Sequence, residues 1–143
     1  MTTDVADANV TLLTSTMAAL NDGDLETCLA RIHPELLMTL AGAPGQLQGR
    51  DVWLAGVQGL RAGFPDVRVE IEDVFGSGDR VAVRTTITGT HLGVFEGVEP
   101  TGRRIEVLSN EFYRVVNGMV VEEPVVSDLA TLMSQITGPD SER

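Results

Sequence analysis

The sequence has few basic residues and only one cysteine. The first shortage argues against anionic partners, and the second excludes disulfides and thiolate metal sites. Ten Lys and Arg residues stand against 21 Asp and Glu residues, giving a net charge of -11. Nucleic acids and anionic membranes are bound through basic patches, so neither is expected as a partner. The single Cys28 excludes an internal disulfide and a thiolate metal cluster, and it fits a reducing cytoplasm. A neutral or weakly charged small molecule is the better expectation.

Long apolar runs and signals for secretion are also missing. The start, MTTDVADANV, is acidic, and no apolar run approaches the roughly 18 residues of a membrane span. We therefore expect a soluble cytoplasmic protein. His33 and His91 have no metal-ligand spacing, and the chain has no dinucleotide fingerprint, phosphate loop or nucleophile motif. We expect no metal and no cofactor, so that catalysis would be cofactor-free proton transfer, or would use a cofactor that a partner supplies.

The chain is long enough for one domain, residues 1–143. Its first half has helical spacing of apolar residues. The pattern predicts a helix from Asp4 to Leu20 capped by Thr3 or Asp4, a short helix from Asp24 to Ile32 ended by His33-Pro34, a strand from Leu36 to Leu40, and a helix capped by Asp51 and ended by Gly63-Phe64-Pro65.

The second half changes to the period of two that is typical of strands. Alternation predicts strands over residues 67–75 and 80–90, and a glycine-rich connection over residues 91–102 is long enough to form the rim of a pocket. A hairpin over residues 103–128 and a last helix capped by Ser127 or Asp128 follow, before Gly138-Pro139 begins a polar tail. Helices followed by antiparallel strands predict an α+β fold, with a curved antiparallel sheet wrapped around the N-terminal helices and one apolar pocket.

The hairpin carries acids where a strand core should be apolar. Its turn is at Asn117-Gly118, and the register depends on the loop length. A two-residue loop puts Glu123 opposite Phe112 and away from Glu111, whereas a three-residue loop of Val116, Asn117 and Gly118 puts Glu111 directly opposite Glu123. The residues alone leave both registers open.

Two carboxylates close together in a sheltered site cannot both ionise easily, so the pKa of one should rise. Such a pair supplies a proton donor and a proton acceptor in one place, as general acid/base catalysis requires. Glu111 and Glu123 are therefore the candidate catalytic pair. If the pair faces opposite ways instead, both acids are simply solvated.

The second half also resembles a known family. The matching elements are Phe64-Pro65-Asp66, Gly78-Asp79-Arg80-Val81-Ala82-Val83-Arg84, Gly89-Thr90-His91, Gly93-x-Phe95-x-Gly97, Pro100-Thr101-Gly102-Arg103, and Asn117-Gly118 leading to Glu122 and Asp128, with His33-Pro34-Glu35 near the start. These elements are similar to those of the SnoaL-like polyketide cyclases. The resemblance implies a cone-shaped α+β fold shared with ketosteroid isomerase and scytalone dehydratase, one apolar pocket, and assembly as homodimers or homotetramers.

The resemblance transfers the pocket better than the chemistry. In the aldol-type cyclases of the family, the acid/base aspartate lies on the strand after the hairpin turn, at a position that matches Val125 here. A frequent histidine of that strand is replaced by Glu123, and a pocket histidine of the preceding strand matches Glu111. The family's use of these positions for one pocket implies that they share a face, which favours the three-residue turn.

Other residues are candidates for contacts with a substrate. His91 opens the glycine-rich connection and could donate to a substrate oxygen, or could be a local hydrogen-bonding residue. Arg84 lies in mid-strand, where a charge either faces water or meets an acid. The remaining candidates for substrate binding are Trp53, Phe64, Phe95, His33 and Val125, although the aromatic residues are also expected in the core.

These features support three hypotheses for the function. The first is an enzyme of secondary metabolism that acts on a hydrophobic polycyclic, aromatic polyketide-like substrate, either a cyclase or a ring-tailoring relative that assists hydroxylation or opens an epoxide. The second is a non-catalytic accessory protein that holds the small molecule for a partner tailoring enzyme, which the loss of the aspartate at Val125 favours. The third is an interaction module with its pocket filled by its own side chains.

Overall fold

A computed structural model describes residues 4–138 of the chain. The helices in this range are α1 (Val5–Asn21), α2 (Leu25–Ala30), α3 (Arg50–Gly63) and α4 (Leu129–Thr137), and the strands are β1 (Ile32–Leu40), β2 (Leu47–Gln48), β3 (Arg68–Ser77), β4 (Arg80–Thr90), β5 (Arg104–Val116) and β6 (Met119–Ser127).

The six strands form one curved sheet in the order β2-β1-β6-β5-β4-β3. Neighbouring strands are antiparallel except β1 and β6, which are parallel. The α+β class and the curved sheet are therefore as predicted. The sheet is not closed into a barrel, because β2 and β3 form its two edges.

Three predicted helix starts are confirmed by their capping bonds. The side chains of Asp4, Asp24 and Asp128 accept hydrogen bonds from the N–H groups of Ala6, Thr27 and Thr131, respectively. The alternative cap Thr3 and the tail after Gly138 lie outside the described residues.

Two predicted boundaries are wrong. Helix α3 begins at Arg50 after Gly49, whose φ of 111° favours glycine, so Asp51 lies in the first turn rather than at the cap. Helix α2 ends at Ala30, and His33 and Pro34 already belong to β1. The helical spacing up to Ile32 therefore predicted a helix that is too long.

Apolar side chains form two clusters on the inner face of the sheet. The larger lies beneath α1, α2 and α3 and includes Leu13, Met17, Leu36 and Trp53. The smaller joins α4 to the sheet through Phe64, Ile105, Val107, Leu132 and Ile136. Burying this much apolar surface stabilises the fold and fixes which face of each strand is internal.

The hairpin between β5 and β6 has a register that neither sequence alternative anticipates. Asn117 and Gly118 both have positive φ, 51° and 74°, and form a two-residue turn with Val116 opposite Met119. Val115 pairs with Val120, but Arg114 pairs with Glu122, so β6 contains one extra residue, Val121. This β-bulge reverses which residues of β6 face inward.

The bulge decides where the acids lie. Glu111 lies opposite Val125, and the same register places Glu123 across from Tyr113. Glu111 and Glu123 therefore share the inner face as diagonal neighbours, a relation with a typical Cα separation of about 7–8 Å. The predicted three-residue turn and the direct opposition are wrong, whereas the shared face is correct.

No helix within the described part of the chain is both long enough and apolar enough to cross a membrane.

Candidate active site

A cavity of about 160 Å³, here called the inner cavity, lies between the N-terminal helices and the sheet. Its walls are mainly apolar and come from α1, α2, α3 and five strands. The lining residues are Leu13, Thr16, Met17, Leu20, Cys28, Ile32, Trp53, Val57, Val69, Thr85, Ile87, Ser109, Glu111, Tyr113, Val120, Glu123 and Val125. None of these side chains is basic, so the two acids have no neutralising cation on the cavity wall.

Glu111 lies on β5 and is held by hydroxyl groups of the same strand face. Its side chain is 7% exposed. The Ser109 hydroxyl donates to Oε2 at 2.5 Å, and the Tyr113 hydroxyl donates to Oε1 at 3.3 Å. Burial raises the pKa of Glu111, and these hydrogen bonds oppose the rise because they stabilise the carboxylate.

Glu123 lies on β6 and is equally buried, at 7% exposure. No hydrogen bond to its carboxyl group is found among residues 4–138. Burial raises the pKa of Glu123 to about 8, and the negative charge of Glu111 contributes to the rise. Glu123 is therefore mostly protonated at neutral pH.

The two acids thus have different environments in one cavity. Glu111 accepts hydrogen bonds from two hydroxyl groups, whereas no hydrogen bond to the Glu123 carboxyl group is found among residues 4–138. Burial raises the pKa of both acids, and the hydrogen bonds to Glu111 limit the rise there, so Glu111 is the better proton acceptor. The same burial and both carboxylates raise the pKa of Tyr113 well above its usual value, so its hydroxyl stays a neutral donor.

A second and larger space, here called the outer cleft, adjoins the inner cavity. It measures about 640 Å³ and lies between α3, α4, the segment after β1 and the connection over residues 91–102. Ile87 and Val125 line both spaces. The predicted role of residues 91–102 as a pocket rim is consistent with Val94, Phe95 and Glu96, which line this cleft.

Five of the nine predicted site residues line these spaces. Trp53, Glu111 and Glu123 line the inner cavity, Phe95 lines the outer cleft, and Val125 lies at the boundary between the two. Both acids and the residue at the boundary thus lie where a substrate could reach them, and their roles stay predictions.

Phe64 and His91 lie behind the cleft rather than in its wall. Both side chains are fully buried, their ring centroids are 5.5 Å apart, and the Phe64 ring is 5.2 Å from that of Phe95. The Thr101 N–H donates to Nδ1 of His91 at 3.2 Å. His91 lines neither chamber and helps to hold the base of its loop together, so of its two alternatives the local hydrogen-bonding residue is the one observed.

Two further candidates are also displaced from the pocket. His33 lies early in β1, lines neither space, and uses Nδ1 to accept the N–H of Glu35 at 3.0 Å. Arg84 is exposed on the outer face of β4, because its neighbours Val83 and Thr85 face inward. Of the two alternatives for Arg84, the side chain that faces water is the one observed.

Sequence reasoning missed the hydroxyl groups that hold Glu111. Ser109 and Tyr113 lie two residues to either side of Glu111, so the period of two along β5 places all three on one face. The Ser109 hydroxyl also lies 2.8 Å from that of Ser127, at the edge of the outer cleft. The spacing could have identified these residues once Glu111 was taken as internal.

Within residues 4–138, no three His, Cys, Asp or Glu side chains lie close enough together to hold a metal ion. The cavity offers proton donors and acceptors, namely a carboxyl group that burial favours in its protonated form, a second carboxyl group that accepts hydrogen bonds from two hydroxyl groups, and a phenol. This set can move a proton from one atom of a bound molecule to another.

Comparison with known proteins agrees with this fold and cavity. Residues 10–136 match the profile of the SnoaL-like polyketide cyclase family. The chain belongs to this family. A search of curated proteins finds no significant match.

Solved structures of this SnoaL-like fold cover nearly the whole chain. A SnoaL-like polyketide cyclase candidate from Jannaschia sp. CCS1 is 24% identical, with 98% of this chain and 99% of that chain covered and a TM-score of 0.87. AclR of Streptomyces galilaeus, a candidate hydroxylase, is 29% identical, with coverage of 93% and 98% and a TM-score of 0.83. IdmH of Streptomyces antibioticus, a candidate polyketide cyclase, is 35% identical, with coverage of 89% and 96% and a TM-score of 0.76.

Proposed function

We propose that this protein is an acid/base enzyme that acts, without a cofactor of its own, on a hydrophobic ring system of the aromatic polyketide type. The single observation that carries the proposal is the pair of buried acids, Glu111 and Glu123, on the inner face of an apolar cavity. Membership of the polyketide cyclase family and similarity to proteins named as a cyclase and a hydroxylase support the substrate class.

The proposed mechanism divides the work between the two acids. Glu111 takes a proton from a carbon next to a ketone, and Glu123 gives its proton to the ketone oxygen, so that an enol forms without a free enolate. The hydrogen bonds from the Ser109 and Tyr113 hydroxyl groups favour the carboxylate form of Glu111 and orient its side chain. The enol is a carbon nucleophile, which suits both ring closure and ring tailoring.

Proton exchange on a simple ketone tests this proposal without knowledge of the natural substrate. We expect the protein to accelerate deuterium uptake by 2-tetralone, a bicyclic aromatic ketone with an acidic C–H beside its carbonyl group. The expected acceleration over protein-free buffer is ~100-fold or more, the usual contribution of general acid/base catalysis. The reaction is run in D₂O, and mass spectrometry of the recovered ketone measures the rate of deuterium uptake. Uptake no faster than in protein-free buffer would refute the proposed acid/base activity.

The alternative, a non-catalytic protein that holds the molecule for a partner enzyme, has one observation in its favour. The position that matches the cyclase aspartate is Val125, whose side chain lines both the inner cavity and the outer cleft without offering a proton. Binding of 2-tetralone without accelerated exchange is the result that would favour this alternative.

We further propose that the protein assembles as a homodimer or homotetramer through the outer face of its sheet. Phe75, Leu108, Phe112 and Val126 are each more than half exposed there. Phe75 and Phe112 lie in one row across three strands, with Ala82 between them. An apolar patch of this kind on a folded chain marks an interaction surface.

Sedimentation tests the assembly. Phe112→Lys should convert a dimer or tetramer to a monomer, because it places a charge at the centre of the apolar row. Leu92→Lys is the matched control, since Leu92 is similarly exposed, at 57%, but belongs to the connection after β4. A wild-type protein that sediments as a monomer at every concentration would contradict the proposal.

A further inference from the structure

We infer that the outer cleft binds the unreactive part of the substrate as a flat ring system without negative charge, and that Gly56 and Gly59 set the size it accepts. The inference rests on the proposed function, because it assumes that one molecule reaches the acid pair through the boundary at Ile87 and Val125.

The size of the inner cavity requires a second chamber. Pockets that enclose small molecules usually measure about 300–1,000 Å³, and the inner cavity measures about 160 Å³. A fused ring system therefore cannot lie in the inner cavity alone. The outer cleft, with about 640 Å³ and two shared lining residues, provides the missing space directly beside the acids.

Packing within the protein does not require glycine at two positions of α3, Gly56 and Gly59. Each glycine inside a helix costs about 1 kcal/mol relative to alanine. A Cβ added to Gly56 or Gly59 would meet no atom within 4 Å, whereas one added to Gly63 would lie 2.8 Å from Cβ of Phe95. Gly63 is explained by this close approach. Gly56 and Gly59 instead leave a smooth wall on the outer cleft.

Apolar side chains also face the outer cleft without cover. Val94 is 52% exposed and Leu129 is 48% exposed, and both line the cleft. Large apolar residues exposed together in a concave site indicate a ligand surface. A flat molecule lying against the glycine wall would remove both side chains from water.

The ionisable groups of the two chambers exclude an anion. Glu96 and Asp128 line the outer cleft, and Glu111 and Glu123 line the inner cavity. No Lys, Arg or His is among the described lining residues of either chamber. A carboxylate or phosphate on the ring system would therefore be repelled, whereas a neutral or cationic substituent is accepted.

Three anthraquinones that differ in one substituent test the charge preference. The probes carry a 2-hydroxymethyl, a 2-aminomethyl or a 2-carboxylate group, and their absorption overlaps tryptophan emission. Quenching of Trp53, the single tryptophan of the chain, reports binding near both chambers. We expect saturable binding of the neutral and cationic probes, and at least tenfold weaker binding of the carboxylate.

Matched substitutions of Gly59 test the glycine wall. Gly59→Leu should weaken binding of the hydroxymethyl probe at least tenfold by filling the cleft, while the fold is kept because leucine is a good helix former with open space at Cβ. Gly59→Ala is the control, with nearly wild-type binding and a slightly raised Tm. Ala62→Leu, on the same wall, is the second variant if Gly59→Leu does not fold.

The outcomes separate this inference from the proposed function. Equal binding of the neutral probe to wild-type and Gly59→Leu protein, equal binding of the carboxylate and hydroxymethyl probes, or no saturable quenching of the wild-type protein would each overturn the inference. These results do not involve proton exchange. If only the acid pair is inactive, probe binding and its dependence on Gly59 persist while 2-tetralone exchange stays at the rate of buffer.

Discussion

Replacing Glu123 by glutamine should lower the rate of 2-tetralone exchange roughly 100-fold, to near the rate of protein-free buffer, while the protein stays folded. Glutamine has the shape of glutamic acid but cannot transfer a proton, so the ketone oxygen would lose its donor. A 100-fold loss corresponds to about 2.7 kcal/mol of transition-state stabilisation. Deuterium uptake measured by mass spectrometry gives the rate, and circular dichroism verifies the fold.

The neighbouring acid provides the control. Glu122 lies on the outer side of the bulged strand, where Oε2 accepts from Arg114 at 3.1 Å. Glu122→Gln makes the same substitution one residue away and should change the exchange rate less than about twofold, since surface ion pairs contribute little. If the two variants lose activity equally, or if Glu123→Gln keeps the wild-type rate, Glu123 is not the proton donor.

Raising the pH from 4 to 9 should lower the free energy of unfolding of the wild type more than that of Glu123→Gln. The difference between the two proteins should change by up to about 5 kcal/mol in favour of the variant. The pKa of Glu123 is raised from 4.5 to about 8, and each unit is worth about 1.4 kcal/mol. Below pH 4.5 the acid is protonated in both the folded and the unfolded state. As the pH rises towards 8, the unfolded state ionises freely and the folded state does not, so wild-type stability falls.

Urea unfolding at pH 4 and pH 9 measures this effect, and the change in the wild-type minus variant difference is the quantity of interest. Glu122→Gln should follow the pH dependence of the wild type, because its carboxyl group is on the outer face beside Arg114. Parallel pH dependences of wild type and Glu123→Gln would show that Glu123 ionises as easily in the folded protein as in water, against its burial in the cavity.

Local chemistry explains which parts of the fold the sequence predicts. Asp4, Asp24 and Asp128 cap helices because a short carboxylate reaches the free N–H groups of the first turn, whatever surrounds it. The period of two over residues 67–75 and 80–90 likewise predicts the strands β3 and β4 without knowledge of their neighbours. The parallel pairing of β1 with β6 has no such local signal, since the two strands are far apart in the chain.

The site was predictable only in part, for a related reason. Glu111 and Glu123 are candidates because they are acids on otherwise apolar strands. Whether they share a face depends on the bulge at Val121, which the residues of the turn do not predict. Arg84 and His91 are candidates because of the chemistry of their side chains, but the packing of neighbouring residues determines where these side chains lie. Val83 and Thr85 turn Arg84 outward, and Thr101 and Phe64 enclose His91.

The bulge at Val121 also means that strand register, as well as residue identity, encodes the chemistry of this cavity. If β6 paired with β5 without the bulge, the two-residue turn would place Glu122 opposite Tyr113 on the inner face and Glu123 opposite Phe112 on the outer face, with every side chain unchanged in type. Position counted from the turn therefore does not tell which acid reaches the cavity, because the bulge shifts the count by one residue. A hairpin that forms or loses such a bulge at constant length exchanges one set of pocket groups for another.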